Sequence, residues 1–242
     1  MTRGQKRNMV ARRRGSHVMT AMEPAAMRDE EYARLERLLR EVRPKNTLEV
    51  GMANGSSTEV ICRYLKESGG GVHVSVDPFQ TKPEGWGGRG LERVEKAGLS
   101  AFHSLIEDYD YLALPRLLSE GGRFDLILID GWHSFDYTLI DFFYADLLLK
   151  PQGVLVFHDT GMASVHKVCR FIETHKRYVR LSPAPAVLLR PFWRRIGRRL
   201  GQMLGGPGAM AEARSRRSEW FSLAAYRKLE EGIVPSDFYA PF

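Results

Sequence analysis

Leu48-Glu49-Val50-Gly51-Met52-Ala53-Asn54-Gly55-Ser56-Ser57-Thr58 reads as a buried strand, a glycine-bearing turn and the first turn of a helix. Gly51 and Gly55 let the backbone bend tightly and approach a ligand with no Cβ in the way. The helix start that follows offers free N–H groups to an electron-rich ligand. Glu49 sets a further condition. A phosphate would be repelled by a carboxylate at the strand's end, whereas a cationic, aminoacyl-bearing ligand would be held by one.

The spacing excludes two common nucleotide sites. A dinucleotide fingerprint needs G-x-G-x-x-G, and this turn has only Gly51 and Gly55. A P-loop needs Lys-Ser or Lys-Thr after its last glycine, where Ser56 and Ser57 stand.

Working outward, Tyr32, Leu35, Leu38, Leu39 and Val42 fall at helical spacing, so a helix is predicted over about 27–42, stopped by Pro44. The helix after the turn runs to about Ser68 and ends at Gly69-Gly70-Gly71. Val72–Val76 is the next strand and delivers Asp77 to the same crevice in a doubly wound sheet, where an acid suits the two hydroxyls of a ribose. Residues 79–90, rich in Gly and Pro and carrying Trp86, read as an irregular loop over the site. A short helix over 91–97 precedes a strand near Ser100–His103. Glu107 and Asp108 follow, placed to receive an adenine amino group, and a helix covers about 110–119.

Phe124-Asp125-Leu126-Ile127-Leu128-Ile129-Asp130-Gly131-Trp132-His133 is the second decisive stretch. Its apolar run predicts a central strand buried on both faces, with Asp130 and His133 at its carboxyl end. A helix with Phe135, Leu139, Phe142, Phe143 and Leu147 follows, and Val154–Phe157 forms another buried strand ending in His158-Asp159. Asp130, His158 and Asp159 thus reach one rim, where oxygen and nitrogen ligands can hold a divalent cation. Beyond a helix over about 163–176, Tyr178–Leu181 and Ala186–Leu189 read as two strands of a terminal hairpin.

The net charge of +7 is unevenly placed. Six basic side chains precede Glu23, in a polar stretch over 1–24 that reads as a disordered tail, and five arginines lie between 190 and 199. With those eleven set aside, 25 basic side chains stand against 29 acidic ones, so the body offers no basic stripe for nucleic acid. No apolar run reaches the ~18 residues of a spanning helix, and the start lacks the apolar core of a secretory signal. Cys62 and Cys169 have no metal-like spacing and read as buried thiols of a cytoplasmic protein. After Pro191, Phe192, Trp193, Ile196, Leu200 and Leu204 share one helical face. That face is expected to pack on its own domain or on a second copy of the chain, with a membrane surface as the lesser alternative.

The order E-x-G-x-x-x-G, then Asp77, then I-D-G-x-H, then a strand ending in His-Asp resembles the class I S-adenosylmethionine (SAM) methyltransferases of the methyltransferase 24 type. It is also similar to metal-dependent sugar and catechol O-methyltransferases. The resemblance covers about 46–190. It implies an α/β, Rossmann-like doubly wound sheet of seven strands with a terminal antiparallel hairpin and helices on both faces. It divides the chain into a tail (1–24), a methyltransferase domain (25–190) and a helical, aromatic extension (191–242).

Carried over residue by residue, Glu49 and Gly51 match the methionine end of the cofactor site. Asn54, Gly55 and Ser57 match the turn and helix start beside it, Asp77 the ribose ligand, and Asp130 a further wall of the cofactor site. The metal-dependent relatives bind Mg²⁺ through the acid matching Asp130 and a following Asp-Asn, Asp-Asp or Glu-Asp pair. This chain departs from them with His158-Asp159, and imidazole is a poorer Mg²⁺ ligand than carboxylate. His133 matches the general base, suited to take the proton of an attacking hydroxyl. The reading is SAM-dependent O-methylation of a small hydroxylated acceptor of sugar or natural-product type, with or without assistance from Mg²⁺ or another divalent cation. The alternatives are a nucleic-acid methyltransferase, opposed by the absence of D/N-P-P-Y/F at the fourth strand, and a non-catalytic SAM-binding scaffold.

Overall fold

The computed structural model describes residues 27–82, 84–181, 223–231 and 238–242. The tail over 1–24, the strand expected at 186–189 and the amphipathic stretch of 190–204 lie outside them.

Helix α1 (Asp29–Val42) opens with three acids in its first turn, where they oppose the positive end of the helix dipole. Glu31 turns back to accept a bond from the Arg28 backbone N–H (2.8 Å), and Arg43 closes the helix in the left-handed region (φ 53°) ahead of Pro44. Strand β1 (Asn46–Val50), α2 (Ser56–Glu67), β2 (Val72–Val76) and α3 (Arg89–Lys96) follow. Residues 100–102 make a 3₁₀ turn, and β3 starts only at His103 and runs to Ile106, later than the sequence indicated. Then come α4 (Asp110–Ser119), β4 (Phe124–Ile129), α5 (Phe135–Leu148), β5 (Leu149–Phe157), α6 (Ala163–His175), β6 (Tyr178–Arg180) and β7 (Ala224–Lys228).

The seven strands lie in the order β3-β2-β1-β4-β5-β7-β6. β1 to β5 are mutually parallel, while β7 runs antiparallel to both β5 and β6. Parallel pairing turns the carboxyl ends of β1, β2, β4 and β5 toward one rim, and this is what gathers the site. The central strands divide their side chains between two cores. Ile127, Ile129, Leu155 and Phe157 pack with residues of α4, α5 and α6, whereas Leu126, Leu128, Val154 and Val156 pack beneath α1 and α2.

The terminal antiparallel pair is present, but its second strand comes from Ala224–Lys228, inside the region that the sequence set apart as an extension. Alternation explains the fit: Ala224 and Tyr226 enter one core and Leu223 and Ala225 the other. Two alanines carry little strand preference, so the run is inconspicuous in sequence. The chain's last aromatics also dock: Phe238, Tyr239 and Phe242 surround His175 of α6 at centroid distances of 5.4, 6.1 and 5.3 Å. Among the described residues no helix is long and apolar enough to cross a membrane.

Candidate cofactor pocket and cation cluster

A cavity of about 310 Å³ opens where β1, β2 and β4 end. Gly51 (φ +91°) lies against the backbone of the β4 end, and a Cβ there would stand 2.2 Å from the Asp130 carbonyl oxygen. Only glycine lets the two strand ends approach this closely. Aromatic walls come from Phe79, Trp86, Tyr109, Trp132 and Tyr137. Three acidic residues, Asp77, Asp110 and Asp130, belong to the lining, and among the described residues no lysine, arginine or histidine does. The pocket is therefore built for a cation with planar and hydroxylated parts, not for a phosphate.

Asp77, 3% exposed, stands at the end of β2. Its Oδ2 accepts from the backbone N–H of Met52 (3.1 Å) and Ala53 (2.9 Å) and from Gln80 Nε2 (3.0 Å), while Oδ1 accepts from the Phe79 N–H (2.8 Å). It clamps the first turn as well as lining the pocket.

Other expected residues lie elsewhere. Glu49 is fully buried under α2, not on the pocket wall. Its carboxylate accepts from the hydroxyls of Ser57, Thr58 (2.5 Å) and Ser75 (3.2 Å), and His73 Nε2 lies at 3.3 Å. The two-residue period of β1 decides this: Val50 faces the pocket, so Glu49 faces the opposite side of the sheet. Ser57 is consumed in the same network. Gly55 (φ +76°) serves close packing, since a Cβ would meet the Gly90 Cα at 2.8 Å. Asn54 Oδ1 accepts from the N–H (3.1 Å) and hydroxyl (2.6 Å) of Ser56, shaping the entry to α2. Glu107 holds the N–H (2.7 Å) and hydroxyl of Thr81, and Asp108 faces Arg116 (3.5 Å). The acid that does enter the pocket from this side is Asp110, at the first position of α4. Its place at a helix start was visible in the sequence, but its orientation was not.

Asp130, His133, His158 and Asp159 converge, each offering one ligand atom, with all four atoms within 4.8 Å of one another. Asp130 Oδ1 lies 3.0 Å from both His133 Nε2 and His158 Nδ1, and Asp159 Oδ2 lies 3.3 Å from His133 Nε2. His158 Nε2 also reaches Glu31 of α1 at 3.3 Å, a contact between residues 127 positions apart. Burial alone would lower the pKa of His158, but Asp130, Glu31 and Asp159 reverse that and push it up to about 10. The same opposition raises His133, where Asp130 outweighs burial. It lowers Asp130, whose burial is overcome by the two imidazoles. His133 (φ 58°) and Asp159 (φ 50°) both occupy the left-handed region. Such strain in non-glycine residues gathers at functional sites. Ser164 Oγ donates to the His133 carbonyl (2.5 Å) and helps to hold that turn.

Asp130, His158 and Asp159 offer two carboxylate oxygens and one imidazole nitrogen, a mixed set that suits a divalent transition-type cation better than Mg²⁺, which prefers an all-oxygen shell.

A seven-stranded Rossmann-like sheet with an acid-lined pocket at its rim is the architecture of the class I SAM-dependent methyltransferases. Residues 48–160 match the model of the methyltransferase 24 family, described as a methyltransferase domain. No curated protein matches the chain. Solved structures resemble it in fold at low identity. The O-methyltransferase of Bacillus cereus, in complex with S-adenosylhomocysteine (SAH), is 19% identical, with TM-score 0.56, covering 64% of this chain and 74% of that one. TomG of Streptomyces achromogenes, an O-methyltransferase of tomaymycin synthesis in complex with SAM, is 20% identical, with TM-score 0.54 and coverages of 64% and 73%. The cofactor-bound Rv0187 protein from MTB is 16% identical, with TM-score 0.59 and coverages of 86% and 84%.

Proposed function

We propose that this methyltransferase transfers the SAM methyl group to a hydroxyl of a small acceptor of sugar or natural-product type. The carrying observation is the pocket wall: three acidic residues, aromatic faces and, among the described residues, no cationic side chain. Asp77 is assigned to the ribose and Asp110 to the adenine amino group, in place of Glu107 and Asp108. Gly51 and Asp130 flank the methionine end. Glu49 acts at one remove, by fixing the start of α2 through Ser57 and Thr58.

For transfer, the acceptor oxygen must lie in line with the sulfonium methyl group and lose its proton as the new bond forms. His133 takes that proton. With Nε2 directed at Asp130, Nδ1 is the nitrogen left to act as base, and Asp130 stabilises the imidazolium that results. Asp130, His158 and Asp159 are assigned to a divalent cation, which would supply Lewis-acid polarisation of the hydroxyl. The protein is placed in the cytoplasm, consistent with two buried free thiols.

Calorimetric titration with SAH, with NAD⁺ as control, tests the cofactor. The titration is run in EDTA and again with Mg²⁺, Mn²⁺ or Zn²⁺. Micromolar binding of SAH alone supports the reading, and binding of neither ligand under any condition refutes it. A metal requirement for turnover, not for SAH binding, supports the cluster's assignment.

A further inference from the structure

Asp141, on α5, is 1% exposed, and among the described residues neither of its carboxylate oxygens has a hydrogen-bond donor. What it faces is another carboxyl group, Asp110 of α4, which lines the cofactor pocket. Asp141 stands directly behind the wall: a Cβ on Gly131, itself a lining residue, would lie 3.2 Å from Asp141 Oδ2. Two buried carboxylates cannot meet as two anions, because their repulsion adds to the desolvation of both charges. A single proton between them converts the contact into an O–H···O⁻ hydrogen bond. Burial and Asp110 both push the Asp141 pKa well above the usual carboxylate range, so the proton belongs on Asp141. Asp110 also accepts the Tyr111 backbone N–H at 2.7 Å through Oδ1.

We propose that Asp110 and Asp141 share one proton and work as a unit, neutral Asp141 donating to Asp110 so that the Asp110 carboxylate is fixed as an acceptor for the purine amino group of the cofactor. Asp141 is thus a positioning residue, acting on the ligand only through Asp110. The purine part of this inference rests on the SAM assignment; the shared proton does not. The groups against Asp141 are Asp110 from α4 and the backbone of Gly131 after β4. Of these, Asp110 is the one that acts on its ionisation. The arrangement has a chemical consequence. A bare carboxylate pair would attract any cation, whereas a pair holding one proton accepts a single N–H and discriminates between 6-amino and 6-oxo purines.

The test measures SAH and its 6-oxo analogue by calorimetry on the full chain, with infrared spectra of the same samples at neutral pH. Wild type is expected to prefer SAH at least ~10-fold and to show the carbonyl band of a protonated carboxylic acid, lost in Asp141→Asn. The Asn side chain still donates, so Asp141→Asn keeps the preference, while Asp110→Asn and Asp141→Leu lose it. Absence of the acid band from wild type overturns the shared proton, and this holds even where Asp141→Leu does not fold. Loss of the preference in Asp141→Asn overturns the positioning role. Wild type that binds neither compound refutes the cofactor assignment instead, and the infrared band then still decides the proton.

Discussion

Replacing Glu49 by alanine is expected to damage stability far more directly than ligand contact. The side chain is fully buried and absent from the pocket wall. Its removal leaves the hydroxyls of Ser57, Thr58 and Ser75 without their acceptor, together with the His73 ring nitrogen. A buried donor stripped of its partner costs ~1–3 kcal/mol. Three hydroxyls, partly rescued by rotation and by water entering the space, give about 3–5 kcal/mol. Set against the 5–15 kcal/mol typical of a folded domain, roughly a third of the stability goes. The expected fall in Tm is on the order of 10 °C. Thermal unfolding at fixed pH measures the stability loss, and SAH calorimetry well below the midpoint measures ligand affinity. Affinity in the folded fraction should fall only modestly, because Gly51, Asp77 and Asp130 keep their places. An unfolding midpoint within ~2 °C of wild type, combined with a loss of SAH affinity of two orders of magnitude, would refute the reasoning and return Glu49 to the ligand.

Gly51→Ala should abolish SAH binding, since the new Cβ would stand 2.2 Å from the Asp130 carbonyl and the strand ends must part; unchanged affinity in calorimetry contradicts the close approach. His133→Ala should leave SAH affinity within a few-fold and slow transfer at least ~100-fold, and near-normal turnover would make it a structural residue. In wild type kcat/KM should rise with pH through a value above the ordinary histidine pKa, because a base with a raised pKa is protonated below it; a flat profile removes the assignment. Acid titration followed by unfolding tests the α1 contact. Burial would raise the Glu31 pKa, but His158 and Arg28 hold it at about 2, so its contribution is present above the ordinary value of 4.5 and is lost as pH falls toward 2. The contribution of His158 is complete below 6.5 and lost as pH rises toward 10. Glu31→Gln should therefore cost on the order of 2–3 kcal/mol near pH 5–6 and very little at pH 2, and an equal loss at both would exclude the linkage.

The sequence by itself determined the order of strands and helices, because glycine turns, period-two alternation and the double-faced apolar runs of β4 and β5 are local signals. It also determined that Asp77, Asp130, His133, His158 and Asp159 stand at carboxyl ends of parallel strands or just beyond them, since strand direction follows from right-handed crossovers. Tertiary structure alone decided which face each acid takes. Glu49 and Asp77 are both acids of parallel strands, yet one is sealed under α2 and the other, just past the end of β2, opens to the pocket, a difference set by where each strand stops. Long-range pairing decided the remainder. β7 joins the sheet from residues 224–228, Glu31 reaches His158 across 127 positions, and Asp141 meets Asp110 between two helices. No local pattern encodes such contacts, because they depend on how separately formed elements pack against one another.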